Sequence, residues 1–331
     1  MTKKGTRPAK NSGDGGGIPS ESLPPGPPVP AGPTVPDGHR SGFVAIVGRP
    51  NTGKSTLLNR ILDQKLAIIT HKPGTTRRRL LGVYNRPDAQ MVFVDTPGIE
   101  RPSSKLGHFL LEEAKAAVSG VDVILFMTDG RDEGADLQAL ELLDNAETPL
   151  IFVLNKVDLI KDKKTLLPLF ESYSRAGRFK DYFPISALKG ENVDRMLSAL
   201  LKLVPEGPRY FTPGTVTDTP ERILAGEFVR EQVYRQLHRE VPYAVAVQVT
   251  EMERDPKSDL LRIEAVIYVE RKSQRGIVIG KGGSRLKQIG QGARLDIEKR
   301  LGEQVFLGLV VRVKPNWRQR DAALHDLEFD N

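Results

Sequence analysis

Eight consecutive residues carry the clearest chemical pattern in the chain. Gly48 to Ser55 reads GRPNTGKS, which has the spacing GxxxxGK[ST] and lies between an apolar run and a stretch of helical periodicity. In this context the backbone N–H groups wrap phosphate oxygens, Lys54 reaches the outer phosphates, and the Ser55 hydroxyl ligates Mg²⁺. The pattern predicts nucleotide contacts from Gly48, Asn51, Thr52, Gly53, Lys54, Ser55 and Thr56.

A second motif, DTPG, begins with Asp95 and closes a later apolar run. Its position predicts that the Asp95 carboxylate lies beside the metal and that the Gly98 N–H meets a γ-phosphate. The polar segment THKPGTTRRR between the motifs offers Thr76 to complete the Mg²⁺ shell when triphosphate is bound, with Thr75 as the alternative. The predicted metal ligands are Ser55, Thr76 and Asp95, and the predicted catalytic residues are Asn51, Lys54, Thr76 and Gly98.

A third motif, NKVD at Asn155 to Asp158, indicates the base of the nucleotide. Asp158 can accept two hydrogen bonds from the N1–H and 2-amino group of guanine, whereas adenine offers neither donor and would leave the carboxylate unpaired. The triplet Ser186-Ala187-Leu188 follows the next apolar run and can supply a backbone N–H to the guanine oxygen. GTP and GDP are therefore the predicted ligands, with contacts from Asn155, Lys156, Asp158, Ser186, Ala187 and Leu188.

The elements that must position these motifs alternate regularly from Ser41 onward. Stretches with helical periodicity separate short apolar runs, namely FVAIVG, LLGVYN, MVFVD, VDVILFM, PLIFVLN and DYFPIS. The helical stretches start near Lys54, Gly107, Ala135, Lys163 and Glu191. This alternation is typical of an α/β domain with a mostly parallel, doubly wound sheet covered on both faces, and we expect it to span residues 41–204.

The rest of the chain divides by composition. Residues 1–40 are mostly Gly, Pro, Ser and charged residues, which predicts a disordered tail, and proline-rich residues 205–220 predict a linker. Residues 221–318 predict an α+β domain that begins with a helix from Glu221 to Arg239, and residues 319–331 predict a C-terminal helix and tail. We expect the Trp317 indole to pack in the protein rather than to stack on a base.

The second domain contains a glycine loop, GKGG, between two helical stretches. A KH domain clamps a single-stranded backbone with such a GxxG loop, although a simple turn between helices explains the motif taken alone. The surroundings favour the KH interpretation, because cations flank the loop, RGIVIG predicts an apolar groove for bases, and the element order is α-β-β-α-α-β. The predicted RNA-binding residues are Gly280, Lys281, Gly282, Gly283, Arg271, Lys272, Arg275, Arg285 and Lys287.

Bulk composition is compatible with these interpretations. The formal net charge of +7 and the pI near 9.4 favour a polyanionic partner. The chain has no cysteine, which excludes disulfides, a thiol nucleophile and a thiolate metal site, and which suits a reducing cytoplasm. No apolar run approaches the roughly 20 residues that span a bilayer, and the N-terminus lacks an apolar signal core. We expect a soluble, unexported, cytoplasmic protein that is monomeric.

The combined motifs follow the order and spacing of the translation-factor-related GTPases, and GRPNTGKST, PGTTR, DTPGI and NKVD resemble the branch that contains Era, EngA and TrmE. Over residues 43–204 this resemblance implies GTP and GDP binding, slow hydrolysis and two switch loops. A single GTPase domain before a type II KH domain resembles the Era family in particular, since EngA has two GTPase domains. That resemblance implies binding to the 3′ end of small-subunit ribosomal RNA, assistance in 30S subunit maturation and peripheral membrane association.

One position departs from Ras-like enzymes. Ile99 follows DTPG where those proteins carry a glutamine that orients the attacking water, and isoleucine cannot bond to water. The resemblance implies that other groups place the water and that Asn51 holds a potassium ion, which would neutralise charge at the β- and γ-phosphates. The alternative is that Asn51 only shapes the loop.

Three functions stay open on the sequence alone. They are a GTPase switch with RNA as partner, an ATP-using P-loop enzyme such as a kinase, and an RNA-binding protein whose nucleotide site is structural and hydrolyses little. Asp158 argues against the kinase, which has no use for NKxD. Hydrolysis of GTP distinguishes the other two.

Overall fold

The structure is a computed structural model that describes residues 35–72, 74–102, 104–142, 148–176 and 179–328. Residues 1–34 of the predicted disordered tail and residues 329–331 of the predicted C-terminal tail lie outside the described residues. Folded structure begins before the predicted boundary at residue 41. The first strand starts at Arg40, and Nδ1 of the buried His39 lies 2.9 Å from the carbonyl oxygen of Gly207.

Within the described residues, six strands form the sheet of the first domain: β1 (Arg40–Val47), β2 (Leu80–Asn85), β3 (Ala89–Asp95), β4 (Val123–Thr128), β5 (Leu150–Leu154) and β6 (Phe179–Pro184). Their spatial order is β2-β3-β1-β4-β5-β6, and β2 pairs antiparallel with β3 while the other neighbours are parallel. The helices are α1 (Lys54–Leu62), α2 (Lys105–Val118), α3 (Glu133–Glu141), α4 (Leu166–Ala176) and α5 (Val193–Leu203). The predicted α/β fold is confirmed.

The sheet gathers the motifs at one edge. Strands β3 and β4 are buried along their whole length, because helices cover both faces and their sequences are almost continuously apolar. The four motifs follow the carboxyl ends of β1, β3, β5 and β6. Parallel strands bring these ends together, and ligands of open α/β sheets bind in the crevice outside them.

The second domain contains α6 (Glu221–Gln236), β7 (Ala246–Arg254), β8 (Leu261–Val269), α7 (Lys272–Ile279), α8 (Ser284–Leu301) and β9 (Val305–Val313), followed by α9 (Asp321–Glu328). In its sheet, β8 pairs antiparallel with β7 and parallel with β9. This order agrees with the predicted α+β domain. Trp317 is fully buried and its Nε1 donates to the Ala244 carbonyl oxygen (3.0 Å), so the indole packs in the protein as predicted.

Helix α6 ends at Gln236, before the predicted end at Arg239. Leu237 is extended (φ −103°, ψ 154°) with its side chain buried, and Arg239 is left-handed (φ 57°), so the helix cannot continue. The ammonium group of Lys72, from the first domain, donates to the carbonyl oxygens of Tyr234 and Leu237 at this end. A cation there satisfies carbonyls that lack partners within the helix, and local periodicity cannot reveal one that comes from another domain.

One apolar core crosses the boundary between the two domains. Residues 66–68, after α1, are buried in the same cluster as Leu224 and Phe228 on α6. Helix α6 is therefore covered on nearly all sides, and even the carboxylate-bearing Glu231 is buried. The linker connects two domains that share a hydrophobic core.

Candidate nucleotide site and nucleic-acid interface

The loop between β1 and α1 has features that suit an anion. Gly53 precedes α1 in a left-handed conformation (φ 104°), and no acidic residue occupies the first turn of the helix. The buried ammonium group of Lys54 donates to the carbonyl oxygens of Gly48 (3.0 Å) and Arg49 (2.9 Å). Burial lowers the pKa of Lys54 to about 8, against the opposing charge of Asp95. A bound phosphate would favour the protonated amine.

The three predicted metal ligands lie together beside this loop. Ser55 Oγ donates to Asp95 Oδ2 (2.7 Å) and lies 3.0 Å from Thr76 Oγ1. Asp95 is fully buried, which raises its pKa to about 6, and its Oδ1 has no hydrogen-bond partner among the described residues. An unpartnered carboxylate oxygen next to two hydroxyl oxygens fits a hard cation such as Mg²⁺.

The segment that supplies Thr76 forms one wall of the site. Thr75 is the alternative metal ligand, but its hydroxyl is hydrogen-bonded to Thr70 Oγ1 (2.6 Å). Asn51 Nδ2 donates to the carbonyl oxygen of His71 (3.1 Å), which ties the phosphate loop to this wall. The geometry therefore favours Thr76 over Thr75.

The DTPG motif is pressed against the phosphate loop. The Ile99 N–H donates to the carbonyl oxygen of Gly48 (3.0 Å), and a Cβ at Gly98 would lie 2.6 Å from Pro50. Only glycine permits this approach. The Ile99 side chain is fully buried in the core, so it contributes no polar group to the site.

Asn155 and Lys156 brace the base side of the site. Asn155 Nδ2 donates to the carbonyl oxygen of Thr52 (2.8 Å), and its Oδ1 accepts from the Ala187 N–H (2.9 Å). Lys156 Nζ donates to the carbonyl oxygen of Asn51 (2.6 Å). These contacts fix the phosphate loop relative to the loops that follow β5 and β6.

A cavity of about 500 Å³ lies between these loops, a size typical of small-molecule sites. Asp158 lines it together with Leu159 and Leu188, both of which are exposed. In the predicted triplet, the Ser186 N–H donates to the Glu191 carbonyl oxygen and the Ala187 N–H donates to Asn155 Oδ1. A hydrogen bond from the Leu188 N–H to the guanine oxygen stays a prediction.

Some residues that line the cavity belong to none of the sequence motifs. Arg131 lines the cavity from the loop after β4, and residues 68–71 line it beside Thr76. Arg131 could have been found from its place at the carboxyl end of a parallel strand. Residues 68–71 gave no such signal, because their position depends on contacts with α6.

The glycine loop joins α7 to α8 through an unusual backbone. Gly280, Gly282 and Gly283 have positive φ values of 73°, 59° and 78°, which side-chain-bearing residues adopt at a cost. A Cβ at Gly280 would also lie 2.8 Å from the Arg285 Cβ. Lys281 and Gly282 are exposed, so the loop presents bare backbone and one cation to solvent.

The cations predicted around the loop fall into two groups. Four are exposed: Arg271, Lys272, Arg275 and Lys287. Arg285 differs, because it is half-buried and its Nη1 donates to the carbonyl oxygen of Ile277 (2.8 Å). This bond caps α7, and a contact of Arg285 with RNA stays a prediction. Ile277 itself is 42% exposed beside the buried Val278, which leaves an apolar surface next to the loop.

The fold and these two sites define a P-loop GTPase joined to a KH domain. Residues 43–156 match the family described as 50S ribosome-binding GTPase, and residues 240–318 match the family described as KH domain. The chain is 43% identical over 294 residues to the GTPase Era of Alkaliphilus metalliredigens, which covers 88% of this chain and 99% of that protein. The chain belongs to the Era family of GTPases.

Two solved structures of Era share this architecture. A variant of Aquifex aeolicus Era bound to GDP·AlF4⁻ is 41% identical with a TM-score of 0.85, over 87% of this chain and 99% of that one. Era in complex with MgGDPNP and nucleotides 1506–1542 of 16S ribosomal RNA is 42% identical with a TM-score of 0.85, over 88% and 99% of the two chains. The predicted order of a GTPase domain and a KH domain is confirmed.

Proposed function

We propose that this GTPase acts as a switch that binds the 3′ end of small-subunit ribosomal RNA and assists maturation of the 30S subunit. The observation that carries the proposal is the presence, in one folded chain, of a guanine-nucleotide site and an exposed GxxG loop. Era in complex with MgGDPNP and a 16S ribosomal RNA segment resembles the chain over both domains, so the similarity extends to both binding surfaces.

In this proposal the triphosphate lies at the N-terminus of α1. Lys54 exchanges its loop carbonyl partners for the β- and γ-phosphates, and the Gly98 N–H approaches the γ-phosphate. Asp158 accepts the guanine N1–H and 2-amino group. Mg²⁺, when bound, neutralises charge that develops on the phosphate oxygens. The residues that would hold it are Ser55, Thr76 and Asp95.

A potassium ion at Asn51 is a finer part of the proposal. Asn51 lines the cavity in a left-handed conformation (φ 64°), and its amide nitrogen is engaged by the carbonyl oxygen of His71. The amide oxygen is thereby available as a ligand. A monovalent cation here would add positive charge near the β- and γ-phosphates, where this chain has no glutamine after DTPG.

On the RNA side, we place a single strand along the GxxG loop. The loop backbone and Lys281 contact phosphates, since bare glycines permit close approach. The exposed cations nearby add sequence-independent attraction, which is weakened by salt. Bases would lie against the apolar surface at Ile277.

The setting follows from the proposed partner. We place the protein in the cytoplasm as a monomer, where precursors of the small subunit occur, and propose peripheral contact with the inner face of the membrane. Among the described residues, every helix is too short or too polar to span a bilayer. Flotation with anionic vesicles tests the membrane contact, and sedimentation of the free protein tests the monomeric state.

The central experiment is a nucleotide titration followed by turnover. GTP and GDP should compete with a fluorescent guanine nucleotide, whereas ATP should not. A short single-stranded RNA with the 3′-terminal small-subunit sequence should bind, and its effect on GTP turnover measures the coupling of the two sites. Equal affinity for ATP would contradict the base assignment, and failure to bind this RNA would contradict the assigned partner.

A further inference from the structure

A side chain next to the metal site is held by the other domain. Arg77 follows Thr76 directly in the chain, and it is 2% exposed. Its Nη1 donates to the carbonyl oxygen of Val245 (2.9 Å), and its Nη2 donates to the Tyr234 hydroxyl (3.0 Å) and the carbonyl oxygen of Tyr243 (3.2 Å). All three acceptors belong to the KH-domain half of the chain.

Trp317 closes this pocket, which we call the Arg77 socket (Tyr234, Tyr243, Val245 and Trp317). The guanidinium carbon of Arg77 lies 5.6 Å from the Trp317 ring centroid, within range of a cation–π interaction. A buried cation is costly unless its donors are satisfied, and a planar guanidinium satisfies them only in a narrow set of orientations. The socket therefore fixes the position of Arg77.

The same segment is anchored to the second domain further upstream. The Ile69 N–H donates to Glu231 Oε1 on α6 (3.1 Å), and Lys65 Nζ lies 2.7 Å from Asp296 Oδ2 on α8. Residues 65–72 and 74–77, which lie between α1 and β2, thus contact the second domain. Their position depends on that domain.

We propose that Arg77 is a positioning residue for GTP hydrolysis: the Arg77 socket holds Thr76 beside Ser55, so that the KH-domain half completes the metal site of the GTPase domain. Thr76 Oγ1 lies 3.0 Å from Ser55 Oγ, and one peptide bond joins Thr76 to Arg77, whose side chain is buried in the socket. Release of Arg77 frees Thr76 to leave the site. The inference rests on the proposed role of Thr76 as a Mg²⁺ ligand and is independent of RNA binding.

Two variants test the proposal from opposite domains in the full chain. Arg77→Ala empties the socket, and Tyr234→Phe removes, with little change in shape, the hydroxyl that accepts from Arg77 (3.0 Å) and donates to the Gly74 carbonyl oxygen (3.4 Å). Arg77→Ala should lower kcat by about 10–100-fold and raise the Mg²⁺ concentration for half-maximal turnover, as is usual when a ligand loses its supporting contact. GDP affinity should stay within about twofold, because Thr76 is expected to act only with triphosphate. Tyr234→Phe should produce the same pattern with a smaller amplitude.

A second readout does not depend on turnover. In the nucleotide-free protein, amide hydrogen exchange at residues 74–76 should be faster in both variants. Arg77→Lys, which retains the charge without the planar fork, should restore only part of kcat. Arg79→Ala is the matched control, since Arg79 is an exposed cation in the same segment.

The outcomes separate this inference from the proposed function. Unchanged kcat and unchanged exchange in folded Arg77→Ala protein would overturn the inference, and so would a parallel loss of kcat, GDP affinity and melting temperature. A Thr76→Ala variant with normal kcat would overturn the metal-ligand assignment itself. Should Arg77→Ala fail to fold, normal kcat and exchange in Tyr234→Phe overturn the inference.

Discussion

Replacing Asp158 by asparagine should weaken GTP binding and create affinity for xanthosine triphosphate. Asp158 is half-buried in the lining of the cavity, so a base bound there would partly shield its carboxylate from water. The substitution removes the charge and puts an amide N–H against the guanine 2-amino group, which leaves two donors without an acceptor. A hydrogen bond to a charged group contributes about 1.5–3 kcal/mol, and the loss of one such bond together with the loss of charge at the other costs about 3 kcal/mol at this half-exposed site. GTP affinity should fall roughly 100-fold.

Competition against a fluorescent GDP analogue measures this change for both bases. Xanthosine nucleotides should gain affinity, because the asparagine Nδ2 can donate to the xanthine 2-oxo oxygen. Asp162→Asn serves as the matched control, since Asp162 is exposed nearby and does not line the cavity. Unchanged GTP affinity in a correctly folded Asp158→Asn protein would refute the assignment of Asp158 to the guanine base.

GTP turnover should rise when potassium replaces sodium at constant ionic strength, and Asn51→Ala should abolish this rise without changing GDP binding. Equal turnover rates in both salts would contradict the potassium site and leave Asn51 as a loop-shaping residue. Replacing Lys281 and Gly282 together by aspartate should abolish RNA binding without changing GTP affinity, because two carboxylates then face phosphate. Fluorescence anisotropy with a short RNA of the 3′-end sequence measures the RNA affinity, and undiminished binding would show that the loop is only a turn between helices. Arg262→Ala is the control and should weaken RNA binding little, because Arg262 is an exposed strand residue. Trp317→Ala should lower the free energy of unfolding by about 3–5 kcal/mol, measured by denaturant titration, because the indole is fully buried. A loss below about 1 kcal/mol would show that the indole is not a core group.

The sequence revealed most of the sheet, because buried parallel strands are continuous apolar runs. Strand β4 is apolar and buried at nearly every position, so its run could be recognised without knowledge of its neighbours. The same logic placed Ser55 and Asp95, which are tied to the carboxyl ends of β1 and β3. Thr76 and Thr75 are adjacent in one polar segment, so only the fold could distinguish them.

Features that depend on tertiary contacts could not be predicted. Arg285 has the same charge as its exposed neighbours, and its turn onto the Ile277 carbonyl oxygen follows from the geometry of two consecutive helices. Helix α6 has helical periodicity up to Arg239, but the buried Leu237 and the contact from Lys72 end it earlier. Local patterns contain no information about a partner from another domain.

The core shared by residues 66–68, Leu224 and Phe228 has a thermodynamic consequence. Because one hydrophobic cluster spans both domains, we expect the two domains to unfold together. A ligand of the native state stabilises that unit by an amount set by its concentration relative to Kd, about 4 kcal/mol at a thousandfold excess. We therefore expect guanine nucleotide to protect the KH domain as well as the GTPase domain against thermal denaturation.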